Sequence, residues 1–442
     1  MTLSASKPTN VRWGMFTLAC GTSWLMYLHR YAFALFKADL GSQWNLSKTE
    51  LGFLDSVQFI TYGVFQFPLG IAADLAGVRL VLSILIVVWC MGLALFASAP
   101  TSQYLWVGRA VFGIGQSAAY AALSRAAKVW FPPPIRTTLA GIVGITWGRL
   151  GGLTAYLIVP PLLFGWLAMD WRTAALWLAG FGLCWGVTFF VCYRDTPRQH
   201  PWSNEAEAAL IAGDAEGVAA AGSKLRFADA ARQMSGRSVL NVLALNVQTT
   251  LSTLADNIFV SWIPLFLMEV HDLKVTTSGI FSALPLLGGA LAGLIGGALN
   301  DWLIAVTGSR RWSRSLVGLV GKGMAAVLLL AALRWYHDPY IFCGFLFGVK
   351  LVGDWSLTSS WGVVTDIGGR ATATLYSFNN AIATLGAIAA SPLFGWVADQ
   401  YGWRAVFVLV AITYALCAVS WLAIDTTLPV LKPTARAEGP AA

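Results

Sequence analysis

The chain has 442 residues, of which 57% are hydrophobic and only 11% charged, with a formal net charge of +8 and a mean hydropathy of +0.66. A soluble domain carries about 25% charged residues, so a large soluble α/β enzyme is excluded: too little polar material is present to cover its surface. The basic surplus does not point to nucleic acid either, because it lies mainly in alternate loops between long apolar runs, the positive-inside pattern of a membrane protein.

The N-terminus, "MTLSASKPTNVR", is short and polar, and no cleavable signal is evident in it. Twelve apolar segments follow, over 13–36, 50–73, 79–99, 103–129, 138–164, 172–193, 239–268, 276–300, 315–335, 340–363, 372–397 and 404–424. Each is long enough for a tilted spanning helix. The predicted fold class is an all-α membrane protein with twelve transmembrane helices. With the N-terminus in the cytoplasm, that side receives Lys7, Arg12, Arg79, Lys128, Arg136, Arg194, Arg198, Lys224, Arg226, Arg232, Arg237, Arg310, Arg311, Arg314, Arg370, Lys432 and Arg436. The outer loops receive Lys37, Lys48, Arg172, Lys274 and Arg404. That asymmetry predicts both termini inside, in a plasma (bacterial inner) membrane.

Ser47-Lys-Thr-Glu50 reads as a capping box opening the second helix, and Asn204-Glu-Ala-Glu207 as a weaker one. Asn45-Leu46-Ser47 matches a glycosylation sequon, a triplet that arises often by chance. The hydrophilic stretch 194–238 divides the chain into an N-terminal six-helix bundle (1–193) and a C-terminal one (239–442), with a cytoplasmic linker between. "FGWLAMDWRTAALW" before the sixth segment is echoed by "FGWVADQYGWRAVF" before the twelfth, and "GIAAD" at 70–74 by "GALND" at 297–301. Both echoes fall about 230 residues apart, which makes them an internal repeat. Two parallel repeats place a cavity between the halves, near the midplane. Cys20, Cys90, Cys184, Cys192, Cys343 and Cys417 lie in or at the ends of apolar segments, with no metal or disulfide spacing, and read as small core residues.

Gly70-Ile-Ala-Ala-Asp74-Leu-Ala-Gly77-Val-Arg79 resembles the loop motif of the major facilitator superfamily, although Leu75 and Val78 stand where that motif often has Arg. Asp301, followed by Arg310, Arg311 and Arg314, forms the second copy. The resemblance implies a conformational latch of Asp74, Arg79 and Asp301. Within the superfamily the chain resembles the anion:cation symporter branch, which includes sialic acid, galactonate and phthalate transporters. "YLHR", "RAVFGIGQSAAYAALSRAAKVWFPPPIR", "DTPRQHPWSNEAE", "SWIPLFL" and "SPLFGW" carry that resemblance.

Ionisable residues inside a membrane are functional candidates by default. His29, Arg30, Arg109 and Arg149 make the first half strongly positive, and Asp55 is the one acid comparable in position. A guanidinium stays protonated and suits a carboxylate, so a small organic anion is the economical substrate. Arg30 lies about 10 Å of helix inside the predicted outer end of its segment, whereas Arg125 and Arg334 read as snorkelling side chains. The family resemblance places Tyr27, Arg30 and Tyr62 at the cavity. Arg109 and Gln116, seven residues apart, share one helix face. Members of the family carry Asp at the His29 position and Glu at the Gln116 position for the coupling proton. Both carboxylates are missing here, which puts proton symport in doubt.

In the second half, Asp256 and Asn257, Lys322, and Lys350 with Asp354 are the intramembrane polar groups. Lys350 and Asp354 are spaced to pair on one face. Asp256, with His29 as the second choice, is the remaining candidate for coupling. Ser360, Trp361 and Asn380 match cavity-lining stretches of the family, with helix packing as the alternative. No HExxH, GxSxG or Walker loop is present, so the chain does not read as an enzyme and calls for no cofactor or metal. The expected partners are an organic anion such as a sugar acid, membrane lipid and, if transport is coupled, protons, with the protein a monomer. The rivals are an organophosphate/anion exchanger or uniporter without proton coupling, and a non-transporting anion receptor.

Overall fold

The computed structural model describes residues 7–132, 135, 139, 141–212, 234–369 and 372–430. Arg136, Lys224, Arg226, Arg232, Arg370, Lys432 and Arg436 of the charge pattern, and most of the predicted linker, lie outside these. Every regular element among the described residues is helical. In chain order they are α1 (Val11–Trp44), α2 (Lys48–Ala76), α3 (Val78–Ala97), α4 (Ser102–Gln116), α5 (Ala119–Trp130), α6 (Gly148–Leu157), α7 (Trp171–Cys192) and α8 (Glu205–Ala212). They continue as α9 (Gly236–Ser261), α10 (Ile263–His271), α11 (Val275–Thr307), α12 (Arg310–Ala332), α13 (Pro339–Gly353), α14 (Trp355–Gly368) and α15 (Thr372–Ser420). Two π-helical stretches, Ile142–Trp147 and Pro160–Trp166, flank α6.

Among the described residues, eight helical spans are long and apolar enough to cross a membrane, or nine if the bent pair α9 and α10 is one span. The rest of the twelve predicted segments are interrupted by charge or by a break. α1 carries His29, Arg30 and Lys37. The segment over 103–129 divides at Ser117 and Ala118 into α4 and α5. α15 runs through the last two predicted segments and turns at Gly402, whose φ of 78° suits a residue without a Cβ. The predicted seventh and tenth segments divide as well, at Trp262 and at Asp354.

Local chemistry explains several helix ends. Ser47 accepts from the Glu50 amide at 3.2 Å while the Glu50 carboxylate accepts from the Ser47 amide at 2.8 Å, the expected capping box. Asp170 caps α7 through the Thr173 amide, and the hydrogen bonds from Thr173 hold its carboxyl below the usual carboxylate range. At the N-terminus of α1, Asn10 makes no side-chain cap. The cap comes instead from Glu207 of α8, whose carboxylate accepts from the Val11 and Arg12 amides at 3.3 and 3.1 Å. Glu207 also takes the Thr9 hydroxyl and pairs with Arg12 at 3.0 Å.

By contacts the chain forms two compact units. One contains residues 1–222 and 261–283; the other contains 223–260 and 284–442. Inside the first, α3 and α4 approach closely because Gly92, Gly108 and Gly115 leave no room for a Cβ against the facing backbone. Inside the second, Val242, Leu245, Val363, Val364, Ile367, Trp421 and Ile424 belong to one buried apolar cluster. Large apolar side chains such as Val64, Phe67, Val187 and Val327 are more than 60% exposed, as lipid-facing residues would be.

Three expectations change. α1 continues to Trp44 rather than ending at residue 36, so Lys37 is a helical residue, fully buried, and not a loop charge. Arg30 consequently lies about 21 Å of helix from the end of α1, twice the predicted depth. Among the cysteines, Cys184 is exposed and only Cys20, Cys90, Cys343 and Cys417 are buried.

Candidate functional site

In the first unit, α1 brings Tyr27, Arg30 and Tyr31 to the level of Gln116 at the end of α4. The Arg30 Nε and Nη2 both donate to Gln116 Oε1, at 3.1 and 3.0 Å. Gln116 Nε2 donates in turn to the Met26 carbonyl at 3.0 Å. The guanidinium is ringed by Tyr27, Tyr62 and Phe59, at 5.1, 5.2 and 5.9 Å from the ring centroids. Aromatic faces and a neutral amide hold the cation in place without neutralising it. Among the described residues, no carboxylate lies within ion-pair distance of Arg30. Tyr120, four residues past Gln116, packs edge-on against Tyr27 at 6.1 Å and donates its hydroxyl to the Gly144 carbonyl at 2.8 Å. Gly144 lies in the first π stretch, and such turns free backbone carbonyls from the helical ladder.

The other cations of this unit are differently placed. Arg109, 4% exposed, donates to Asp55 Oδ1 at 2.9 Å and to the Leu54 carbonyl at 3.2 Å, and lies over the Phe33 ring at 3.7 Å. Its charge is shared with Asp55, although it lies on the helix that carries Gln116. Arg149 is half-buried on α6. His29 is buried against α7, where Gly182 makes room for its ring. Adjacent in sequence, His29 and Arg30 therefore meet different surroundings.

In the second unit, the partly buried Asp256 joins the buried Lys322, Lys350 and Asp354 in one cluster. Its Oδ1 accepts from Lys350 Nζ at 2.8 Å and from the Tyr414 hydroxyl at 2.6 Å, and its Oδ2 lies 3.5 Å from Lys322 Nζ. Lys350 also pairs with Asp354 at 2.6 Å, the predicted i, i+4 contact. Two lysines and two aspartates balance there. Asn257 is buried with its side-chain oxygen unpartnered. Trp361 packs against Tyr376 with the ring centroids 4.4 Å apart and the planes tilted by 33°, and Ser360 and Asn380 are partly buried. Asn379, next to Asn380, is the buried amide; it donates to Asn246 and Thr249.

The predicted latch residues have separate partners. Asp74 pairs with Arg125 at 2.6 Å rather than with Arg79. The Arg79 amide donates to Asp195, and its side chain donates to the Phe190 carbonyl. Asp301 is exposed, while Arg314 and Arg311 pair with Asp366 and Asp425 at 2.6 and 3.0 Å. Among the described residues no cluster of His, Cys, Asp or Glu could hold a metal ion.

The family model described as Major Facilitator Superfamily matches residues 19–360 and 309–441. The chain belongs to the Major Facilitator Superfamily. It is a multi-pass membrane protein and not an enzyme. It is 24% identical over 432 residues to a probable sulfoacetate transporter of Cupriavidus necator, covering 95% of each chain. It is 25% identical over 435 residues to a D-galactonate transporter of Escherichia coli, covering 95% of this chain and 97% of the relative. A bacterial homolog of the human lysosomal transporter Spinster superposes with a TM-score of 0.78 at 16% identity, over 96% of this chain and all of the other. This major facilitator thus has the all-helical superfamily fold that its sequence pattern predicts.

Residues outside the sequence-based site include Phe59, Tyr120, Lys37, Ser261 and Tyr414. For two of them a signal existed. Lys37 is seven residues beyond Arg30 and so on the same face of α1, and Tyr120 is one turn beyond Gln116. Ser261 and Tyr414 carried none, because their partners are distant in sequence.

Proposed function

We propose that this major facilitator is a secondary transporter of a small organic anion, a carboxylate of sugar-acid type, working by alternating access. The single observation that carries the reading is the Arg30 nest: a cation at membrane depth, fixed by Gln116 and three aromatic rings, with no carboxylate to neutralise it. A charge held that way is costly unless an anion completes it. Relatives named for sulfoacetate, galactonate, hexuronate and galactarate/glucarate support the same class. Arg30 is the anchor; Tyr27 and Tyr62 shape the site. Arg149, Asn257, Ser360, Trp361 and Asn380 serve as secondary contacts to substrate hydroxyls or a second acidic group. Arg109 acts through Asp55. Asp74, Arg79 and Asp301 form part of the conformational latch.

Coupling is the finer question. Gln116 cannot titrate, and Asp256 is already engaged by two ammonium groups. These observations favour the second reading, exchange or uniport without protons, over symport through Asp256 or His29. The protein is assigned to the plasma membrane with both termini cytoplasmic, as bundles 1–193 and 239–442 joined by the linker 194–238.

Uptake into proteoliposomes of radiolabelled galactonate and sulfoacetate, with and without an inward proton gradient and with and without internal anion, tests both parts. Uptake of either acid that depends on Arg30 supports the anion reading; uptake unchanged in Arg30→Ala overturns it. Stimulation by the gradient would overturn proton-free transport, and dependence on internal anion would identify exchange.

A further inference from the structure

The break between α9 and α10 is a bend of 53° at Ser261 and Trp262, followed at once by Pro264. From Ser261 onward, through Ala283, the chain packs as part of the first unit. At the start of this segment is a buried ion cluster. Lys37 Nζ donates to Ser261 Oγ and to Asp55 Oδ2, both at 2.8 Å. The Ser261 hydroxyl donates to the same carboxylate oxygen, which uses its one proton while its lone pair receives Lys37. The Trp262 ring centroid lies 3.5 Å from Lys37 Nζ. Arg109 takes the other oxygen of Asp55 at 2.9 Å. Further along, Ser278 Oγ donates to the Pro264 carbonyl at 2.9 Å, tying the start of α11 to α10.

The charges in this cluster do not balance. Lys37 and Arg109 are both cations and share Asp55; among the described residues no second carboxylate lies within ion-pair distance of either. Lys37 and Trp262 are fully buried, and Asp55, Arg109 and Ser261 are each 4% exposed. Two opposing contributions therefore meet at one point. The hydrogen bonds and the cation–π contact hold Ser261 and Trp262 in place, because separating them leaves polar groups without partners. The surplus positive charge favours separation, because an uncompensated buried cation is relieved by water. By contrast, the Asp256 cluster has two cations and two carboxylates and no such opposition.

We propose that Lys37, Asp55, Ser261 and Trp262 form a charge-poised clasp. It fastens the segment Ser261–Ala283 to α1 and α2 at the end of α1 remote from the N-terminus, and it opens during the transport cycle. Lys37 has a double role: its hydrogen bonds close the clasp, and its surplus charge keeps the closed form from being too stable to open. This assignment rests on membership of a transporter superfamily and not on the nature of the substrate, so it stands or falls separately from the anion reading.

Hydrogen–deuterium exchange of the full chain in lipid nanodiscs without substrate tests it, read on peptides from Ser261–Ala283 with α3 as the internal reference. Asp55→Asn leaves two unpaired cations and speeds exchange of the segment about tenfold or more. Lys37→Met removes the surplus and slows exchange by about threefold. The double variant restores a surplus of one and returns exchange to within about twofold of the parent chain. Exchange accelerated by Lys37→Met as much as by Asp55→Asn would overturn the proposal, because a merely adhesive cluster weakens with either change. If Asp55→Asn does not fold, Ser261→Ala replaces it. That variant removes hydrogen bonds but no charge, so it must speed exchange while Lys37→Met slows it; the same sign for both overturns the clasp.

Discussion

Arg30 and Gln116 are joined through one neutral oxygen: both Nε and Nη2 of the guanidinium reach Gln116 Oε1, at 3.1 and 3.0 Å. The amide orients the fork and leaves its charge intact. The family pattern, with a carboxylate at this position, would give a neutral pair that must be protonated before an anion can compete for the arginine. Here the partner is an amide, and no carboxylate has to be protonated before the arginine is available.

Removing that charge should abolish recognition. Arg30→Ala is expected to weaken anion binding by at least about 3 kcal/mol, more than a hundredfold, the scale of a desolvated charge pair. Arg30→Lys keeps the charge but loses the planar fork, and is expected to retain measurable binding about tenfold weaker than the parent. Calorimetric titration of the purified protein with galactonate checks both. Binding by Arg30→Ala within threefold of the parent excludes Arg30 as the anchor.

Gln116→Glu is the informative reverse change. It places a carboxylate about 3 Å from the guanidinium and removes the donor that now reaches Met26. At pH 7.5 the new carboxylate is ionised and competes with the substrate, so affinity falls by about tenfold or more. As the pH is lowered the Glu takes up a proton, Arg30 is released and affinity recovers. The parent chain lacks this dependence at the Arg30 site, since the amide of Gln116 has no carboxyl to protonate. Parallel affinity profiles of parent and variant between pH 5 and pH 8 would contradict the account.

The Asp256 cluster makes a prediction about stability. Its two aspartates balance Lys322 and Lys350. Asp256→Asn leaves one lysine charge uncompensated, and breaking a buried pair this way costs about 3–5 kcal/mol. Adding Lys322→Met restores the balance and should recover more than half of that loss. Thermal unfolding in detergent, followed by tryptophan fluorescence, distinguishes this from a purely functional role, in which Asp256→Asn would leave the melting temperature unchanged.

Much of this was legible in the sequence because hydropathy and charge act locally. The twelve apolar segments, the Ser47–Glu50 capping box and the Lys350–Asp354 pair follow from spacing alone. Arg30 was legible as a cation too deep to be incidental. What escaped was set by neighbours distant in sequence. Lys37 looked like a loop residue because a charge ordinarily ends an apolar run; only Asp55, Ser261 and Trp262 make its burial tolerable. Arg109 reads in the sequence as one more cation of the first half, and its pairing with Asp55, 54 residues away, is not legible there. The divided helices at Ser117 and Asp354 also escaped, since no proline or glycine pair stands at these points to announce them; at Trp262 the signal was Pro264, in the first turn of α10.

The last prediction concerns a cap supplied in trans. Asn10 leaves the first amides of α1 without a side-chain partner, and Glu207 of α8 accepts from two of them while pairing with Arg12. A carboxylate at a helix N-terminus both satisfies orphan donors and meets the positive end of the helix dipole. Glu207 has no exposed surface, and truncating it leaves those donors without their side-chain acceptor. Glu207→Ala is expected to cost about 2 kcal/mol, at the upper end for a lost cap because the Arg12 ion pair goes with it. Glu207→Gln keeps an acceptor and should cost about half as much. Limited proteolysis reports the effect directly: cleavage near residues 7–12 and 200–212 should quicken together in Glu207→Ala, because each segment holds the other. Cleavage quickened at only one of them would show that the two are anchored independently.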